Sequence, residues 1–307
     1  MKILRIGILF GLVISGSIAL GQGRPVFSTY IYNGLALNPA YAGSLNVFSA
    51  IFTNRSQWVN IEGAPEFQSL TAHTTFYDNQ VGTGLNVSRD AVGVHEQYSV
   101  YGSAAYKIRM SKWILSMGLQ GGFDYRASNF EELTLFDQDD PLLAAFVSKF
   151  NPNFGTGLYF HNRDYFIGFS IPYILTPPIF SNEELSSTGR EGRFYYINAG
   201  FVKDLTRDLK ISPSVLIRKQ EGAPWAFDAN VNLIISEIVY AGLSYRYQDS
   251  FSAMTQLVLN ENFRLGYAYD IPFSGLNEFT AGSHEIFLNY RIKLKINKKD
   301  GLCPVYF

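Results

Sequence analysis

Four histidines, His73, His95, His161 and His284, and a single cysteine, Cys303, are the side chains of this 307-residue sequence best equipped to act as nucleophile, base or metal ligand. The histidines lie far apart and none falls in a ligand-spaced pair, which argues against a zinc site. Ser283-His284-Glu285 collects the residue types of a hydrolase triad. Consecutive side chains of a strand point to opposite faces, however, so these three cannot converge on one another. Glu131, Glu132, Asp137, Asp139 and Asp140 form an acidic run whose hard oxygens could hold Ca²⁺, although a solvated, unliganded loop is the simpler reading. No phosphate-binding loop, dinucleotide fingerprint or Gly-x-Ser-x-Gly elbow is present. These residues predict no enzyme, no cofactor and no metal.

Bulk properties narrow the class further. The net charge of −1 provides no field to draw in nucleic acid. Cys303 has no partner for an intrachain disulfide, so it reads as a free thiol or an intermolecular link. Residues 1–21 read as a cleavable signal peptide. Lys2 and Arg5 precede the apolar run Ile6–Leu20, and Ala19-Leu20-Gly21 supplies a small-x-small cleavage site before Gln22. The apolar run is short for a membrane span, and the absence of Cys at position 22 argues against lipoprotein processing.

The elements that must position everything else are alternating strands. In Glu285–Ile296, Ile286, Leu288, Tyr290, Ile292, Leu294 and Ile296 share one parity; Glu285, Asn289, Arg291, Lys293 and Lys295 share the other, and Phe287 alone breaks the rule. A strand with one apolar and one polar face, long enough to cross a bilayer at a tilt, suits an outer-membrane wall. Aromatic residues make up 16% of the chain while mean hydropathy is only +0.01, as a barrel with a polar lumen and aromatic rims requires. A soluble periplasmic sandwich would also alternate, but strand length and aromatic load favour the barrel.

The pattern predicts about fourteen antiparallel strands: Leu45–Asn54, Glu66–Phe76, Gly82–Arg89, Gln97–Arg109, Trp113–Tyr125, Asn153–Phe160, Tyr165–Ile171, Phe194–Val202, Leu209–Lys219, Trp225–Leu233, Val239–Tyr247, Ser252–Leu259, Asn262–Asp270 and Glu285–Ile296. The last is expected to close the barrel against the first. Arg109–Lys112, Asn162–Asp164 and Thr206–Asp208 read as short periplasmic turns. Val59–Pro65, Arg126–Pro152, Pro172–Arg193 and Ile271–Gly282 read as longer outward links, with a short helix expected at Leu142–Val147. Loops of that size are more often functional than idle. Arg246, Arg264, Arg291 and Lys293 face the lumen in this reading, either lining a channel or paired inside a filled barrel.

The expected organisation is a signal peptide at 1–21, a periplasmic arm or plug at 22–44, and a transmembrane barrel at 45–307. In the arm, Pro39 and Gly43 argue against a regular helix or a central strand. Asn38, Pro39 and Tyr41 suit a docking peptide on the periplasmic side, or equally a lid that stabilises the first strand. With Trp58, Glu62, Asp137, Asp139 and Asp140 they make up the candidate partner-binding residues.

Several stretches resemble a known family. Pro25-Val26-Phe27-Ser28-Thr29-Tyr30 followed by Asn33-Gly34-Leu35-Ala36-Leu37-Asn38-Pro39-Ala40-Tyr41-Ala42-Gly43-Ser44 is similar to the N-terminal signature of PorP/SprF proteins, outer-membrane components of the type IX secretion and gliding system of Bacteroidetes. Asn54–Val59 with Ile61–Pro65, Phe67–Leu70, Gly282–Ile286 and the Cys303-Pro304 tail fit as well; Val305 stands where a basic residue is usual. The resemblance implies a barrel without enzymatic activity that docks periplasmic secretion machinery. It also implies support for the secretion or anchoring of a large surface adhesin through that adhesin's C-terminal domain. The expected partners are therefore type IX secretion components, the adhesin domain and outer-membrane lipid. The alternative function is an outer-membrane channel or transporter for a small or hydrophobic solute, with the arm as its plug.

Overall fold

A computed structural model describes residues 24, 27–129, 146–177, 191–273 and 275–293. Fifteen strand segments occur in chain order. They are β1 (Val47–Ser56), β2 (Glu66–Phe76), β3 (Val81–Val92), β4 (His95–Arg109), β5 (Ile114–Asn129), β6 (Phe146–His161), β7 (Tyr165–Ile171), β8 (Phe194–Phe201), β9 (Lys203–Asp204), β10 (Leu209–Gln220), β11 (Trp225–Ile235), β12 (Val239–Arg246), β13 (Ser250–Val258), β14 (Phe263–Pro272) and β15 (Ser283–Lys293). Each pairs antiparallel with its neighbours, β15 pairs with β1, and β10 pairs with β11, so the sheet is closed. β8 and β9 are one stave interrupted at Val202, which makes the barrel fourteen-stranded. Closure leaves no edge, the condition a sheet must meet in lipid.

The alternation turns out as a wall with its polar face inward. Along β15, Glu285, Phe287, Asn289 and Arg291 are buried, whereas Ile286, Leu288 and Ile292 are exposed on the outside. The same parity rule gives inward Ser49, Ile51, Thr53 and Arg55 and outward Phe52 on β1. The predicted pairing of the last strand with the first is observed, with Phe52 opposite Leu288 and Arg55 opposite Glu285.

The long links share one end. At the opposite end, residues 77–80, 110–113, 162–164, 205–208, 236–238 and 259–262 join strands in three or four residues. The strand ends joined by 57–65, 130–145, 172–193 and 273–282 lie together, with 130–145, 178–190 and 274 outside the described residues, and the short links 93–94, 221–224 and 247–249 fall at that end too. β5 and β6 reach Asn129 and Phe146, so the predicted link 126–152 is shorter than expected. Of the apolar stretch read as a helix, Phe146 and Val147 instead open β6, because they pair with Asn129 and Ser128.

Among the described residues before β1 there is neither strand nor α-helix. Ser28–Tyr32, Gly34–Ala36 and Pro39–Tyr41 are 3₁₀ turns. Asn38 caps the third by accepting a hydrogen bond from Ala40 N at 2.9 Å, and Pro39 occupies its first position, where the missing N–H costs nothing.

Candidate functional site inside the barrel

The segment 27–46 runs through the lumen. Its upstream part binds residues near the long-link end of the wall, and Gly43 binds residues near the short-turn end, where Val47 begins β1. Almost every side chain of Phe27–Leu45 is buried, Ala40 and Ala42 completely.

Three ion clusters mark the wall beside it. Arg55 donates to Asp270 at 2.6 Å and to Glu285 at 3.0 Å, leaving two carboxylates on one guanidinium. The surplus negative charge is met by the segment itself. Ser28 N donates to Glu285 at 2.8 Å, Thr29 N at 3.1 Å and Thr29 Oγ1 also donates to it, while Ser28 Oγ donates to Asp270 at 2.7 Å. In a low-dielectric interior such charge-assisted bonds are the strong ones, and each buried carboxylate needs them. Arg24 forms the second cluster, donating to Asp124 at 2.6 Å and Glu191 at 2.8 Å and lying 3.5 Å over the Tyr173 ring. Burial works against the Arg24 charge, but Tyr173, Glu191 and Asp124 outweigh it and hold its pKa well above the usual value. The third cluster joins Arg218 and Arg246 through Asp228, with Asp249 on Arg246 at 3.1 Å.

Apolar packing completes the fit. Tyr32 stacks on Phe287 at 5.2 Å and meets Tyr240 edge-on, and its hydroxyl donates to Asn232 at 3.0 Å. Phe287, the one apolar residue on the polar parity of its strand, therefore has a partner inside the barrel. Asn38 Nδ2 donates to Leu158 O at 2.9 Å and Phe169 O at 3.4 Å, bridging the β6–β7 seam from within, and Ser170 Oγ donates to Leu37 O at 2.7 Å. Tyr41 packs between His73 and Tyr159. Two wall glycines let the backbone approach: a Cβ on Gly82 would lie 1.9 Å from Ala42 O, and one on Gly118 would lie 2.2 Å from Ala40 N.

The structure separates the residues singled out by sequence. Asn38, Pro39 and Tyr41 are buried against the wall and present no surface to a periplasmic partner in this arrangement. Trp58 is half-buried and Glu62 exposed in the link 57–65; Asp137, Asp139 and Asp140, like Cys303, lie outside the described residues. Ser283 and Glu285 face inward while His284 turns outward to Tyr267 and Tyr269, so the three do not converge. His73 accepts from Gly43 N, His161 is buried beside Tyr159, and His95 contacts Ser128. Among the described residues no group of His, Cys, Asp or Glu is arranged to hold a metal ion. Of the lumen cations, Arg246 is paired as above, and Lys293 pairs with Glu261 in the open at the short-turn end. Arg24, Arg55, Asp124, Asp228 and Asp270 escaped the sequence reading. Their signal was available: charges on the inward parity of strands destined for lipid must find partners inside.

A model of the type IX secretion system membrane protein PorP/SprF family matches residues 19–290. The chain belongs to the PorP/SprF family. It is accordingly an outer-membrane β-barrel of the type IX secretion system, in a family of secretion membrane proteins rather than of enzymes, and membership implies interaction with other components of that system. A comparison with curated protein sequences finds no match. Among solved structures, the barrel is similar to the monoaromatic hydrocarbon channel CymD, at 10% identity and a TM-score of 0.50 over 90% of this chain and 95% of that one. It is also similar to the Ralstonia pickettii toluene transporter TbuX, at 10% identity and 0.47 over 84% and 91%. The KdgM porin follows at 8% identity and 0.38 over 79% and 98%. At these identities the likeness is one of fold alone.

Proposed function

We propose that this PorP/SprF barrel docks periplasmic type IX secretion machinery at its short-turn end and supports secretion or surface anchoring of a large adhesin at its long-link end. The observation that carries the reading is the filled lumen. The bonds of Ser28 and Thr29 to the Arg55–Asp270–Glu285 cluster, the Asn38 bridge to β6 and β7 and the Tyr32–Phe287 stack hold 27–46 across the barrel, so the wall serves as a support rather than as an open conduit. Function then falls to the surfaces outside it. The links 57–65, 172–193 and 273–282 cluster at one end, which outer-membrane barrels turn to the exterior. Trp58 and Glu62 are the described candidates for contact there; Asp137, Asp139 and Asp140, the other candidates, lie outside the described residues. In this reading residues 1–21 direct export and 22–44 act as plug.

Deleting the gene and comparing the surface proteome tests the proposal. Loss of one large adhesin from the surface is expected; an unchanged secretome with normal adhesin display refutes it. A photo-crosslinker at Glu62 should capture an adhesin C-terminal domain in cells. The second reading, a channel for a small or hydrophobic solute, requires the plug to leave. Conductance or solute flux through the wild-type barrel, with 27–46 in place, would favour it.

A further inference from the structure

Toward the long-link end, between the lumenal segment and strands β2 to β4, lies a partly open cavity of about 50 Å³. Its polar lining comes from Arg24, paired as described above, from Ser88, and from Ser69, Asn86, Asp90, Gln97 and Ser99. Gln97 and Ser99 are already engaged: Gln97 accepts from Arg126 Nε at 2.7 Å, and Ser99 Oγ donates to Asp124 at 2.6 Å. Three others are not. Asn86 Oδ1, Asp90 Oδ1 and Ser69 Oγ are buried with no hydrogen-bond partner. Ser69 is only 4% exposed. Buried polar atoms are normally satisfied, and a carboxylate oxygen left bare is the costliest exception.

Charge points the same way. Arg24 and Arg126 meet Asp124 and Glu191 in direct contacts. Asp90 shares the cavity and the field of Arg24, but among the described residues no cation contacts it directly, so two arginines face three carboxylates here. The remaining walls are aromatic: Phe27 stacked on Phe67 at 5.8 Å, with Tyr173 and Tyr196 opposite. Unpartnered oxygens, one surplus negative charge and π faces together describe a receptor for an organic cation. Arg24, lying over Tyr173, already shows one guanidinium accommodated in this chemistry.

We propose that this cavity binds a single guanidinium or ammonium group, with Asp90 as counter-ion, Asn86 and Ser69 as hydrogen-bonding partners and the aromatic faces as walls. Such a group is offered by an Arg or Lys side chain of a protein reaching the barrel mouth, or by a free small cation. The site does not depend on the docking role proposed above, since it is defined by the cavity alone.

Calorimetric titration of the purified full-length barrel in detergent, with three probes, tests it: acetyl-Gly-Arg-Gly-amide, its Gln analogue, and methylguanidinium. Saturable binding of the Arg peptide, with the Gln peptide at least tenfold weaker, is the expected result. Methylguanidinium binding as tightly as the Arg peptide assigns the site to a free cation; tenfold weaker binding assigns it to a side chain presented by a polypeptide. Asp90→Asn should weaken the Arg peptide at least tenfold and Asp90→Glu should restore it, with heat-modifiable gel migration confirming that both variants remain closed barrels. Equal binding of the Arg and Gln peptides, or binding indifferent to Asp90→Asn in a closed barrel, overturns the proposal. Absence of any binding also overturns it and leaves the cavity to water.

Discussion

Replacing Glu285 by Gln should release the upstream half of the lumenal segment while leaving the barrel closed. Glu285 is completely buried and accepts from Arg55, from the backbone N–H of Ser28 and Thr29, and from the Thr29 hydroxyl. Gln preserves the volume but turns one acceptor oxygen into an NH₂ that faces donors. Removing one partner of a buried ion pair costs about 3–5 kcal/mol when the other is left alone. Here Arg55 retains Asp270 at 2.6 Å, and one amide oxygen still accepts. The net loss is therefore about 2–4 kcal/mol, at the lower end of the cost of breaking a buried pair. A free-energy change of that size is roughly 30- to 1,000-fold in the opening equilibrium. Amide hydrogen exchange read by mass spectrometry compares the stretch 27–33 with 38–46, whose contacts to β5, β6 and His73 do not involve Glu285. Exchange at 27–33 should accelerate by that factor while 38–46 keeps its protection. Less than tenfold acceleration refutes the reasoning. So does loss of protection along the whole wall, which would make Glu285 a barrel residue rather than a latch.

Gly82→Val places a side chain where Ala42 O would stand 1.9 Å from its Cβ, so the segment must leave the wall; new chymotrypsin-accessible sites at Phe27, Tyr30, Tyr32 or Tyr41 are expected, and an unchanged digest counts against the packing account. Asn38→Ala removes a helix cap and the bridge to Leu158 and Phe169, about 2–3 kcal/mol in all, read as a lower heat-modification temperature; Asn38→Asp keeps the cap oxygen and should recover part of that loss. Phe287→Asn restores perfect alternation on β15 yet should destabilise by about 3 kcal/mol, because Tyr32 loses its stacking partner; a neutral effect would mean that alternation alone matters. Leu288→Lys on the lipid face should cost about 2–4 kcal/mol in folding into bilayers, and a soluble, stable variant would remove the membrane reading.

Strand number and identity were legible because lipid leaves no freedom: every outward residue must be apolar and every backbone group paired, so the alternation is nearly unbroken. The ends of elements were less legible where proline intervened. β6 begins seven residues before the expected Asn153, and Pro152 lies inside it. Phe154 turns its carbonyl away from β5 to accept from Ile174, and Pro152, two residues earlier, turns its nitrogen the same way, beyond the reach of β7, whose pairing starts at Thr156. The missing N–H costs the ladder nothing there, as strand prolines require. Pro213 has the same consequence on its neighbour. β10 pairs with β8 from Ser214 and with β9 at Lys210 and Ile211, so the stave expected as Phe194–Val202 breaks at Val202, beside the stretch of β10 that holds Pro213. Such a compensation involves two distant segments, and no local pattern announces it.

The site was legible in its parts but not in its use. The stretch Asn33–Ser44 is distinctive in sequence, and its proline and tyrosine suit a docking peptide or equally a lid that stabilises the first strand. In the barrel the same residues read as a packing code. Asn38 bridges two strands, Ala40 and Ala42 lie against Gly118 and Gly82, Tyr41 fills the space between His73 and Tyr159, and Lys107 Nζ donates to Gly43 O at 2.6 Å. Each requirement sits on a wall residue far away in sequence, which is why the arm alone could not reveal it. The single fault in the last strand is the visible half of one such requirement. Phe287 breaks its parity because Tyr32 needs a face to stack on, and a Tyr at 32 or a Phe at 287 is explained only by the other. Interruptions of the lipid-driven alternation therefore locate the lumenal segment, and coupled substitution of the two positions, Tyr32→Leu with Phe287→Asn, should cost less than the sum of the single changes.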